Sequence, residues 1–217
     1  MEIAGFTWKQ GKVAEGVAKT AKAPVAASEQ SPRSKRKVNY AVDWDAVQSE
    51  KYAHKFGSLS GSDKANKAVC TRARWALNNR DGAKTEEIYA VDMRTGVEIA
   101  RITDQHFPQG VKRTTQFDRA LKETGKNGAD IMLIHNHPAS SPPGIGDLNA
   151  LLPTPGARGI VVGHGGSVYW YTAPREKIPQ FEFDVAILRY KSYTYSTAHE
   201  KALEDFSEKY GFVFARL

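Results

Sequence analysis

The residues with the most chemical content in this chain lie between Ile131 and Leu148, in the run IMLIHNHPASSPPGIGDL. Ile131, Met132, Leu133 and Ile134 form an apolar run of strand type. It ends in His135-Asn136-His137 and is stopped by Pro138, which cannot donate to a sheet ladder. Side chains alternate along a strand, so His135 and His137 share a face, roughly 6–7 Å apart along the backbone. Ten residues after His137, beyond a loop of Pro, Gly and Ser, comes Asp147. Two imidazoles on one face and a returning carboxylate suit a divalent metal, and zinc fits that donor set best. Three protein ligands leave the fourth tetrahedral position to water, the arrangement of a catalytic rather than a structural zinc.

Elements on both sides must position these groups. From Val42 to Arg80 the pattern is helical, with Trp44, Val47, Tyr52 and Phe56 as a loose amphipathic face. Ser62-Asp63 then starts a helix whose stripe is Val69, Ala73, Ala76 and Leu77, and Asp81-Gly82 stops it. Thr85 to Met93 reads as a strand that turns at Arg94-Thr95-Gly96 into Val97–Ile102, an antiparallel hairpin. Thr114 or Thr115 caps a helix containing Phe117 and Leu121, and Asn127-Gly128 turns the chain into the histidine strand. After Asp147, a short helix bears Leu148, Leu151 and Leu152. Gly159–Gly163 is a buried strand, and His164-Gly165-Gly166 turns into the closing strand Ser167–Tyr171. Two helical stretches follow Ile178, the first with Phe181, Val185, Ile187 and Leu188, the second running from Ser196 to Gly211. His106 reads as a loop residue and His164 as a turn residue. The order predicts an α/β fold with a mixed β-sheet flanked by helices. Its parts are a lead-in over 41–82, a core over 83–175 and C-terminal helices over 176–217.

Charge is unevenly spread. Of a net +7, most sits in residues 1–40, where Lys9, Lys12, Lys19, Lys22, Arg33, Lys35, Arg36 and Lys37 face only Glu2, Glu15 and Glu29. That segment, rich in Ala, Lys, Pro and Ser, reads as a disordered basic linker suited at most to weak nucleic-acid contact through phosphates. The remainder is close to balanced, which argues against a nucleic-acid-binding face on the core. A single cysteine, Cys70, excludes a disulfide within the chain and fits a cytoplasmic setting. No apolar run reaches membrane-spanning length, so no membrane association is expected.

The HNHP run, the Pro- and Ser-containing loop and Asp147 together resemble the JAB/MPN+ (JAMM) metallo-isopeptidase family, most closely its RadC-like bacterial branch. The resemblance spans roughly residues 84–173. It implies a mixed sheet in a cytidine-deaminase-like layer arrangement, with Zn2+ on His135, His137 and Asp147. It also implies a protein or peptide substrate cleaved at a peptide or isopeptide bond. The family's general base is a Glu at the start of an early strand, just before its apolar run. That position here is Glu87, immediately before Ile88, with Glu86 as the alternative. One departure stands out: Gly144 occupies the place where the family usually carries a Ser that helps bind the oxyanion. Loss of one such donor costs on the order of 100–1000-fold in rate. Two other roles therefore stay open, a RadC-like nucleic-acid-associated protein and a metal-holding interaction module with weakened catalysis. The helical lead-in with Asn78-Asn79-Arg80-Asp81-Gly82 is also similar to C-terminal parts of phage minor-head (MuF-type) polypeptides, which implies a phage-encoded or mobile-element setting.

Overall fold

The computed structural model describes residues 40–107 and 110–217. The linker expected over 1–40, with its phosphate contact, therefore lies outside the described residues except for Tyr40. Tyr40 is seated: its carbonyl accepts hydrogen bonds from Gly82 N at 3.1 Å and His164 Nδ1 at 2.6 Å. No helix among the described residues is long and apolar enough to cross a membrane.

Capping accounts for where the chain enters its helices. Asp43, Ser49 and Ser62 accept backbone N–H bonds at the starts of α1 (Trp44–Gln48), α2 (Glu50–His54) and α3 (Asp63–Asn79). The hairpin forms as β1 (Ile88–Asp92) and β2 (Val97–Ile102). Thr114 caps α4 (Thr115–Lys126), which leads into β3 (Ile131–His137). Then come α5 (Ile145–Asn149), β4 (Arg158–Gly163), β5 (Val168–Thr172), α6 (Gln180–Arg189), α7 (Tyr195–Tyr210) and β6 (Phe214–Arg216).

The strands make one mixed sheet in the order β2-β1-β3-β4-β5-β6, in which only β3 and β4 are parallel. A parallel pair needs a crossover, and α5 with its flanking loops supplies it. Helices cover both faces. On one, Val47, Tyr52, Val69, Ala73 and Leu77 pack on Tyr89, Val91, Met132, Ile134, Ile160 and Val162. On the other, Phe117, Leu121, Leu148, Phe183, Leu203 and Phe206 pack on Ile88, Ala90, Leu133, Val161, Tyr169 and Tyr171. Burial on both sides explains why β1 and β3 read as unbroken apolar runs. Gly159 is set by close packing, since a Cβ there would sit 2.0 Å from the Tyr171 ring.

One expectation is corrected. Ser167–Tyr171 does not close the sheet, because β6 adds antiparallel to β5 with Tyr169 opposite Arg216 and Tyr171 opposite Phe214. Gly211, at φ 66°, ends α7 in the left-handed conformation and turns the chain back into that strand. A three-residue strand is too short to show a period. In α6 the buried residues are Phe183 and Ala186, whereas Phe181 and Leu188 are 77% and 66% exposed. Apolar residues on several sides of that helix left its inward face undecided by pattern alone. The lead-in helices pack on one face of the sheet and α6 and α7 on the other.

Candidate metal centre

The register of β1 against β3 determines which glutamate meets the histidines. Ile88 lies opposite His135. Continuing backward by two places sets residue 86 opposite His137, and two-residue alternation puts Glu86 on the imidazole side. Glu87 falls on the opposite face, with Tyr89. The side chains agree. A Glu86 carboxylate oxygen and the ring nitrogens of His135 and His137 all lie within 4.8 Å of one another. Glu87 instead accepts hydrogen bonds from Tyr89 Oη at 2.8 Å and Asn79 Nδ2 at 3.1 Å, and its Oε1 lies 3.0 Å from Arg80 Nε. The expected order of the two glutamates is therefore reversed: Glu87 is turned away from the imidazoles and Glu86 is beside them.

The three expected ligands do converge. His135 Nε2 and His137 Nε2 face each other at 3.1 Å. Asp147 brings Oδ1 to 3.3 Å from His135 Nε2 and Oδ2 to 3.4 Å from His137 Nε2. Zinc–nitrogen and zinc–oxygen bonds of about 2.0–2.1 Å at tetrahedral angles require ligand–ligand separations of roughly 3.3–3.4 Å. The observed separations of 3.1, 3.3 and 3.4 Å, the last two to different Asp147 oxygens, lie close to that spacing. His137 is also oriented for it. Its Nδ1–H donates to the Ser141 carbonyl at 3.0 Å and reaches the Ser141 hydroxyl at 3.1 Å, so Nε2 is the nitrogen turned toward His135 and Asp147.

Electrostatics follow from burial and from these contacts. Burial pulls the His137 imidazolium pKa down, yet Asp147, Glu86 and the Ser141 carbonyl outweigh it and hold the value at about 9. Burial likewise pushes Asp147 up, but the two imidazoles hold its carboxyl well below the usual carboxylate range. Glu86 moves the other way, since its desolvation exceeds the pull of the imidazoles and raises its pKa. A carboxylate of raised pKa is the better proton acceptor.

A pH dependence follows. Below about pH 9 the metal-free His137 carries a proton that a cation must displace. Zinc affinity is therefore expected to rise with pH, by up to about tenfold per unit for this one proton. Chelator competition between about pH 6 and 8 measures it, and a flat affinity would contradict the assignment.

Asn136, fully buried between the two histidines in sequence, points to the opposite face. Its Oδ1 accepts from Glu87 N at 2.8 Å, and its Nδ2 donates to the Thr85 carbonyl at 3.2 Å. It also donates to His164 Nε2 at 3.1 Å, while His164 Nδ1–H donates to the Tyr40 carbonyl. Burial lowers the His164 pKa, which favours the neutral ring that this acceptor role requires. Asn136 thus grips the backbone on both sides of Glu86. In the sequence His164 reads only as a turn residue, because its partners are 28 and 124 positions away. His106 stands outside the centre, with Nδ1 3.3 Å from Arg80 Nη1.

The centre opens into a cleft of about 590 Å³ that Glu86, His137 and Asp147 share with Tyr40, Lys84 and His199. Gly144 also lines it, and the two serine hydroxyls of the same loop are already engaged. The Ser140 hydroxyl accepts from Gly165 N at 2.7 Å, and the Ser141 hydroxyl is engaged by His137. Comparisons with family models, curated proteins and solved structures give no significant match.

Proposed function

We propose that this protein is a zinc-dependent hydrolase of peptide or isopeptide bonds, in the manner of the JAB/MPN+ family. The observation that carries the reading is the convergence of His135, His137 and Asp147 at ligand spacing, with Glu86 beside them in an open cleft. Such a zinc ion, when bound, supplies a Lewis acid that lowers the pKa of water toward ~7 and polarises a carbonyl. His135, His137 and Asp147 would hold it. Glu86 takes the proton from the attacking water and passes it to the departing amine. Ser141 fixes the His137 tautomer, and Asn136 fixes the backbone that presents Glu86. Hydrolysis of a panel of peptide and lysine-linked isopeptide substrates by the zinc-loaded chain tests the reading, and absence of turnover on all of them would count against it.

A second reading, a metal-holding interaction module with weak turnover, is favoured by one observation: the oxyanion serine is replaced by Gly144. The backbone there accepts a side chain. A Cβ on Gly144 would come no nearer than 3.6 Å to Asp147 Oδ2, and φ is −81°. Gly144→Ser is expected to raise kcat by on the order of 10-fold or more while leaving zinc affinity unchanged. Rates and zinc content of the two proteins check this. No hydrolysis in either form, with zinc bound in both, would favour the interaction module.

A further inference from the structure

The peptide unit joining Pro143 to Gly144 is held at both of its polar ends. Its N–H, on Gly144, donates to Asp147 Oδ2 at 2.7 Å. Its carbonyl, on Pro143, accepts from His199 Nε2 at 3.0 Å. A carbonyl only accepts, so the His199 proton is on Nε2, and Nδ1 is a buried acceptor with no partner among the described residues. The ring has little freedom to leave. It is 6% exposed and meets Phe183 of α6 edge-on at 5.1 Å and Tyr195 of α7 at 5.8 Å. In one planar amide, a donor on the carbonyl polarises the group and strengthens the hydrogen bond given by the N–H at the other end, by roughly 10–30% per bond. The carboxylate that receives this N–H is the one facing both imidazoles.

We propose that His199 is a positioning residue for the metal ligand Asp147, and that the α6–α7 segment is thereby a working part of the metal centre. This rests on the zinc reading above. His199 lies 52 residues beyond Asp147 and outside the stretch that resembles the JAB/MPN+ family. It acts through the Pro143–Gly144 amide on the orientation of a carboxylate, in the way outer hydrogen bonds orient metal ligands elsewhere.

The test is zinc affinity of the full chain by chelator competition, with no substrate involved. His199→Met removes the donor at similar length, and His199→Gln restores an N–H at the same reach. His199→Met is expected to weaken zinc about 10–100-fold, and His199→Gln to bind within a few-fold of wild type. Thermal melting of the metal-free proteins reports folding, and if His199→Met does not fold, His199→Phe replaces it. Wild-type affinity in the donor-free variant overturns the proposal, as does a folded His199→Gln that binds as weakly as His199→Met. Failure of the wild-type chain to bind zinc would instead overturn the metal reading itself, and this inference with it.

Discussion

Glu86→Gln is expected to lower kcat by on the order of 10²–10⁴-fold while leaving zinc content at the wild-type level. The amide is close in shape to the carboxylate but cannot take a proton from water. It leaves His135, His137 and Asp147 untouched, so a loss of rate with retained metal separates base from ligand. The acid limb of the wild-type rate profile should lie above the usual glutamate value, because desolvation raises the pKa of Glu86. Activity then falls as pH drops through that raised value. Rates on the best-cleaved peptide, together with zinc stoichiometry, provide the check. If Glu86→Gln keeps full activity, another group is the base.

The neighbouring carboxylate should behave quite differently. Glu87 is 2% exposed, and Arg80, its ion-pair partner, is 5% exposed. Arg80 Nε lies near the carboxylate without hydrogen-bond alignment, so this contact is a charge contact in a dry setting. Removing one member of a buried pair leaves the other charge uncompensated, which typically costs about 3–5 kcal/mol. Glu87→Ala also strips Tyr89 Oη and Asn79 Nδ2 of an acceptor. It is expected to lower Tm by on the order of 10 °C for a domain of this size. Glu87→Gln keeps an acceptor for those donors and should lose less. Melting curves decide it, and a Glu87→Ala protein as stable as wild type would contradict the structural role.

These adjacent glutamates show what was legible in the chain and what was not. The histidine strand was plain, because an apolar run cut off by HNHP states both its period and its end. The helical caps at Ser62 and Thr114 were equally readable, since capping is local chemistry. The choice between Glu86 and Glu87 was not, because every residue of β1 is buried and a strand covered on both faces carries no alternation. Only its register against β3 settles the matter, and register is a tertiary fact. The same holds for His164 and His199, whose roles arise from contacts 28 and 56 positions away. The C-terminal strand escaped notice for another reason: three residues contain too little pattern to read.

The most direct test of the central claim is the metal content of the purified protein, wild type beside His137→Ala, by elemental analysis after zinc is supplied and the excess dialysed away. In the proposed zinc site His137 would contribute Nε2, already oriented by its Nδ1–H bond to the Ser141 carbonyl, so its loss would leave two of three protein ligands. One zinc per wild-type chain, with little or none in the variant, is the expected result. A wild-type chain that retains no zinc under these conditions would contradict the metal centre and every step built on it.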